Sequence, residues 1–278
     1  MLKQRVITAL ILASIIIGCL FFLSPKGFAI FTALVLAVAA WEWANMAGMV
    51  SAAGRWTYAL VLLLVMAGSA FLPVMPVLGV LSAFWVLMAV AVVFYPRLAS
   101  LWEPVPVRAG IGMILIAGAW LALNHLRTGA LSLGLAESNL LLILYTFLVV
   151  WAADIGAYFA GRTFGKRKLA PAVSPGKTLA GVGGGLTAVA VLAAVAGAWS
   201  QLGAAGLVQL LMVSLVTAVA AVFGDLLESM LKRHRGIKDS SHLLPGHGGV
   251  LDRLDSLLAA IPVLALCFTA LGWLVPAG

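Results

Sequence analysis

Apolar runs of about twenty residues, divided by short polar joints, set the pattern of this chain. Nine of them can be marked, near 6–23, 28–47, 56–71, 77–95, 109–123, 140–160, 179–199, 202–223 and 254–273. A helix of roughly twenty apolar residues crosses the hydrocarbon core of a bilayer. Pro, Gly and Ser punctuate the joints, as in Ser24-Pro25-Lys26-Gly27. The third and fourth runs part only around Pro73 and Pro76, so a miscount would fall there. The pattern predicts an all-α, polytopic integral membrane protein of about nine transmembrane helices. They form one membrane-embedded domain over 1–278, with N-terminal helical spans in 1–108 and a second group of helices and loops in 140–278.

Composition agrees. The 278 residues are 64% hydrophobic and 9% charged, against about 25% charged in soluble domains. Charge placement orients the spans. Fifteen of the seventeen Lys and Arg fall with the amino terminus and the even-numbered loops; Lys26 and Arg127 fall on the other side. Such a bias marks the rich side as cytoplasmic and puts the carboxyl terminus outside the cytoplasm. In a membrane chain the net charge of +8 is a matter of topology, so no nucleic acid is expected as partner. Cys19 and Cys267 lie inside apolar runs, which argues against a disulfide framework or a thiolate metal site. The first run has the basic start and apolar core of a signal peptide, and Ile16-Ile17-Gly18-Cys19 imitates a lipoprotein cleavage site. It is expected to stay, because its removal would carry the basic loops across the membrane. Gly181, Gly183, Gly184 and Gly185 follow no strand, so they are read as a close helix contact and not as a dinucleotide loop.

The acids are concentrated. Residues 224–256 hold five of the nine Asp and Glu (Asp225, Glu228, Asp239, Asp252, Asp255) and three of the four His. Asp225 and Glu228 are three apart, as are Asp252 and Asp255, a spacing that shares one helix face. Carboxylates converging at a membrane interface repel one another unless a cation neutralises them. Oxygen ligands without a His–Cys set suit Mg²⁺ or Mn²⁺, and magnesium held by few carboxylates usually completes its shell with substrate phosphates. Lys232, Arg233, Lys238 and Arg253 stand near to take further phosphate charge. Pro245-Gly246-His247-Gly248-Gly249 permits a sharp bend; His247 is a candidate hydrogen-bond donor, while His234 and His242 are expected to be plain loop residues. Upstream, Asp154 lies inside an apolar run, a costly place for a carboxylate and a functional hypothesis by default. Ser174-Pro175-Gly176-Lys177-Thr178 predicts a tight turn before a helix, where free N–H groups and a lysine suit a phosphate. This segment is expected to face the 224–256 stretch. Glu42, between Trp41 and Trp43, reads as an interfacial acid in an aromatic belt. A cation-coupled transporter is the rival reading of intramembrane acids, but here they gather at one interface.

Ser229, Lys232-Arg233, Lys238-Asp239, Pro245-x-His247-Gly248-Gly249 and Asp252-Arg253-x-Asp255 together resemble the hallmark of the phosphatidate cytidylyltransferases, or CDP-diacylglycerol synthases. Asp154, Gly156-Ala157-Tyr158, Gly161-Arg162, Phe164-Gly165 and Ser174 to Thr178 are similar to that family too. The resemblance is close over the carboxyl-terminal half; the first hundred residues match only as hydrophobic spans. Ala180 departs from it, since many members carry Glu or Gln there. The resemblance implies transfer of the cytidylyl group of CTP to phosphatidic acid, giving CDP-diacylglycerol and pyrophosphate. It implies a divalent cation on Asp225, Asp252 and Asp255, with K⁺ as a possible companion, and a homodimer with a polar cavity open to the cytoplasm. Lys238 and Arg253 join the three acids as expected catalytic residues. Asp154, Ser174, Lys177, Thr178, Ser229, Lys232, Arg233, Asp239, His247, Gly248 and Gly249 are expected to bind substrate. Another anionic lipid phosphate is the alternative acceptor. Compactness and short loops point to a bacterial inner membrane.

Overall fold

The computed structural model describes residues 2–132 and 138–276, and side chains from residue 7 onward except that of residue 9. Its helices are α1 (Leu2–Phe22), α2 (Pro25–Ala47), α3 (Ala52–Ser69), α4 (Val74–Val93), the short α5 (Ala99–Trp102), α6 (Val105–Thr128), α7 (Asn139–Phe164), α8 (Leu179–Trp199), α9 (Ala204–Arg235) and α10 (Leu251–Ala270). Two small antiparallel pairs complete it. Strand β1 (Ala130–Leu131) pairs with β4 (Leu274–Val275), and β2 (Lys168–Ala170) with β3 (Ser174–Thr178). Each predicted apolar run is matched by a helix, including the doubtful pair α3 and α4. Among the described residues, eight helices are long and apolar enough to cross a membrane: α2, α3, α4 and α6 to α10. Helix α1 adds the shorter apolar stretch Leu10–Phe22. The chain is an all-α integral membrane protein. The predicted outward placement of residue 278 lies outside the described residues.

Local sequence sets the helix ends. Ser24 and Ser51 cap α2 and α3 through their hydroxyls, which accept from the amides of Gly27 and Gly54. Pro104 and Pro106 open α6 where no intrahelical donor is needed. The helices then pack into one bundle, with α10 against α9, α6 and α4. Helix α2 lies on α3 and α6, locked by Trp43 Nε1 donating to the Arg108 carbonyl at 2.8 Å, while Tyr58 OH ties α3 to the Ala109 carbonyl at 2.7 Å. Helix α7 lies along α8, and α9 along α10. The Gly and Ala residues of α8 sit on those of α7, with a Cβ on Gly185 standing only 2.7 Å from the Ala153 carbonyl oxygen. Gly181, Gly184 and Gly185 make the predicted close helix contact, although strand β3 does precede them, contrary to the expectation that no strand would.

Candidate active site

The site grows from one helix that outruns its apolar run. The sequence pattern ends the eighth span at 223, but α9 continues to Arg235. It stops at Gly236, whose φ of 76° lets its own amide and that of Ile237 return to the carbonyls of Arg233 and Lys232. Lys232, Arg233, His234 and Arg235 occupy the last turn, where positive charge meets the negative end of the helix dipole. The residues expected in a loop are therefore helical, and Asp225, Glu228, Ser229 and Lys232 share a face. His234 is no plain loop residue: its ring meets Trp102 edge-on, with centroids 4.9 Å apart.

Helix α10 crosses this face closely. A Cβ on Gly224 would stand 2.5 Å from the Asp255 carbonyl oxygen, so a glycine is required where the two acidic helix ends meet. Two lysines thread the acids. Lys177 Nζ lies 2.7 Å from Asp225 Oδ2, and Ser229 Oγ donates to Asp225 Oδ1 at 3.2 Å. Lys232 Nζ lies 2.7 Å from Asp252 Oδ1 and 3.3 Å from Glu228 Oε2. Asp255 sits between the two groups, where the charges of Asp225, Glu228 and Lys232 act on it, and accepts the Ser256 amide at 2.7 Å. Glu228 is buried, and beyond its ion pair neither of its oxygens accepts a hydrogen bond among the described residues. Among the described residues three carboxylates thus pair with two ammonium groups and Asp255 pairs with neither, an imbalance that draws in cationic charge. Among the described residues no three His, Cys, Asp or Glu stand together as a preformed metal cage.

Asp252 differs from its neighbours. It faces Lys232 and the inter-helix loop, accepting from the amides of Ser240 at 3.0 Å and Gly249 at 2.7 Å and from the Ser240 hydroxyl at 3.0 Å. The structure does not gather Asp225, Asp252 and Asp255 into one three-ligand group. The loop itself bends as its glycines predicted: Gly246 and Gly248 have φ of 76° and 84°, and Leu244 and Gly248 form a backbone bridge. At Gly249 a Cβ would fall 2.6 Å from Oε1 of Glu42. The sequence reads Glu42 as an interfacial acid. It is fully buried and joins this loop, which no motif spacing signalled.

On the other side of Lys177 opens a cavity of about 390 Å³ between α7, α8 and α9. Asp154, Tyr158, Arg162, Lys177 and Thr178 supply its polar wall. Lys177 both lines this cavity and pairs with Asp225, so the cavity adjoins the acidic crossing. The Ser174–Thr178 segment is a strand of the β2–β3 hairpin and not the predicted tight turn; the reversal falls just before it, with Val173 N donating to the Ala170 carbonyl at 3.1 Å. A helix does follow it, as expected, with Thr178 Oγ1 accepting the Gly181 amide at 3.0 Å. Ser174 pairs with Ala170 in the hairpin. The segment faces the acidic stretch through Lys177 and Asp225, as predicted. Arg233 Nε reaches the Val173 carbonyl at 3.4 Å, tying α9 to the hairpin. Arg233, Lys238 and Arg253 are exposed and, among the described residues, pair with no acid. Arg253 donates to the His247 carbonyl at 3.0 Å; Asp239 lies at the exposed rim beside Gly248.

The sequence has relatives. A model of the family described as "Cytidylyltransferase family" matches residues 3–271. A protein named phosphatidate cytidylyltransferase from Pseudomonas aeruginosa is 44% identical over 99% of this chain and 100% of its own length. One of the same name from Haemophilus influenzae is 39% identical over 94% of this chain and 96% of its own. Another from Bacillus subtilis is 46% identical over 130 residues, 47% of this chain and 48% of its own. The likeness extends through the first hundred residues, where the motifs themselves offer only hydrophobic spans. With the family model covering nearly the whole length, the chain belongs to the cytidylyltransferase family.

Proposed function

We propose that the protein transfers the cytidylyl group of CTP to phosphatidic acid, giving CDP-diacylglycerol and pyrophosphate. The observation that carries this reading is the continuity of the Asp154–Lys177 cavity with the lysine-threaded acids of α9 and α10. The names of the relatives supply the two substrates. A phosphatidate oxygen attacks the α-phosphorus of CTP; the new P–O bond forms as the bond to the β-phosphate oxygen breaks, and pyrophosphate departs. The second pKa of a phosphate monoester is about 6, so the nucleophile is already largely deprotonated and no strong base is needed. What the chain must supply is position and neutralising charge.

Lys177, at the cavity wall, holds a phosphate of CTP. Thr178 and the start of α8 lie beside it, and Arg233, Lys238 and Arg253 take up charge at the open rim. Asp154 lines the same cavity and adds a negative charge to its wall. Asp252, with Lys232 and Gly249, keeps the loop closed over the acids. Asp225 and Asp255 are the residues that would hold Mg²⁺, with Mn²⁺ as substitute. Their all-oxygen donor set, excess negative charge and shortage of hydrogen-bond donors fit an ion whose remaining ligands are phosphates and water. When bound, the ion neutralises the phosphates and stabilises the leaving pyrophosphate. K⁺ beside it, and a homodimer in the bacterial inner membrane with the site facing the cytoplasm, belong to the same proposal. The charge asymmetry of the loops supports that orientation.

Purified protein in detergent, with CTP, magnesium and phosphatidate, is expected to release pyrophosphate and form a lipid-soluble cytidine product in equal amounts. Excess chelator is expected to stop both. Turnover with a different lipid phosphate but not phosphatidate would overturn the acceptor; no turnover with any, beside ion-driven solute uptake in vesicles, would favour a transporter.

A further inference from the structure

Glu42 belongs to α2, about two hundred positions before the acidic stretch, yet the hydrogen bonds of its carboxylate go to that stretch. Oε1 accepts from the Val250 amide at 3.0 Å and the Ser241 hydroxyl at 2.5 Å. Oε2 accepts from the Leu251 amide at 2.6 Å and stands 3.3 Å from the Ser240 hydroxyl. The side chain is wholly buried, and no basic residue pairs with it among the described residues. A buried carboxylate in that state is tolerable only if its acceptors are filled. Here the amides at the beginning of α10 fill them, and the positive end of that helix dipole faces the charge. Helix α10 has no side-chain cap of its own, since Val250 occupies the cap position. Its cap is supplied by another helix.

Asp252 and Asp255 follow within the first turns of α10, and Ser240 also donates to Asp252 at 3.0 Å. A neighbouring contact continues the clamp, with Asn45 Nδ2 donating to the Ser240 carbonyl at 3.4 Å and Arg235 Nε to the Asn45 carbonyl at 3.3 Å. Accepting the cytidylyltransferase reading above, we propose that Glu42 is a positioning residue of the active site. It fixes the 240–251 loop and the start of α10, and so the placement of Asp252 and Asp255, without touching substrate.

Glu42→Gln tests this with little change of shape. An amide has one acceptor oxygen, and its NH₂ group must then face an N–H donor. In full-length protein reconstituted in lipid nanodiscs, hydrogen exchange over 240–251 is expected to rise at least about tenfold while α7 and α8 keep their protection; a lost hydrogen bond to a charged group is of that size. Turnover per folded molecule is expected to fall about 10- to 100-fold, with KM for CTP within about threefold, because the substrate contacts remain. Ser241→Ala, which removes one of the three donors that Val250, Leu251 and Ser241 supply, is expected to lie between wild type and Glu42→Gln in both readouts. Unchanged exchange in 240–251 overturns the proposal whatever the activity. Increased exchange with wild-type turnover per folded molecule reduces Glu42 to a stabilising cap and overturns the positioning role. Wild type inactive with CTP and phosphatidate overturns the reaction assigned above, and the exchange measurement still decides whether Glu42 holds the loop.

Discussion

Two sets of carboxylates lie at the crossing of α9 and α10, and they are treated differently by the fold. Glu42 and Asp252 have their oxygens filled by backbone amides and serine hydroxyls of the connecting loop. Asp225, Glu228 and Asp255 have few donors: one hydroxyl, one adjacent amide, Lys177 on Asp225, and Lys232 on Glu228, the last shared with Asp252. A filled carboxylate has its charge already compensated and acts as part of the framework. An unfilled one keeps a demand for cations, which a metal ion can meet. The acids are equally rare in this apolar chain, so their count alone does not separate the two roles.

The sharpest way to break this contrast is to neutralise one member of each set. Asp225→Asn and Asp255→Asn are expected to lower turnover by roughly 10²- to 10³-fold or more, the scale for removing one element of electrostatic stabilisation, with loop exchange near normal. Asp252→Asn is expected to lose comparable turnover while also loosening the 240–249 loop, because its carboxylate accepts two loop amides. Equal loosening in all three would erase the distinction. Lys177→Ala removes the cation facing Asp225 and the cavity; KM for CTP is expected to rise about 10- to 100-fold, the scale of one charged hydrogen bond, and an unchanged KM would remove Lys177 from the phosphate site. Gly249→Ala forces a methyl group toward Glu42. Thermal unfolding should show a loss of about 1–3 kcal/mol, as overpacking typically costs, and full stability would mean that the loop stands further from α2 than described. The smallest effect is expected for Lys238→Ala at the exposed rim, a few-fold change in CTP use that fades with added salt. A large, salt-independent loss there would put the phosphates nearer the rim than Lys177.

The membrane helices were legible because twenty apolar residues in a row admit little else. The carboxylates of 224–256 and the partnership of 174–178 with them were legible too, since so few polar residues interrupt the chain. The helical extension to Arg235 was not. Hydropathy marks where a helix leaves the membrane, not where it stops, and the stop is set by Gly236. The β2–β3 hairpin was missed because three- and five-residue strands in a basic, Pro-containing segment leave no alternation to read. Glu42 was missed for another reason. Its role depends on α2 lying beside the loop before α10, a tertiary contact that no local spacing encodes. Nor could spacing show that Asp252 turns away from Asp225 toward Lys232.

Binding of Mn²⁺ in place of Mg²⁺, followed by electron paramagnetic resonance with CTP present, tests the division between the two carboxylate sets most directly. The account predicts CTP-dependent immobilised Mn²⁺ in wild type, its loss in both Asp225→Asn and Asp255→Asn, and its retention, weakened at most several-fold, in Glu42→Gln. Immobilised Mn²⁺ that survives both aspartate substitutions but disappears with Glu42→Gln would contradict it.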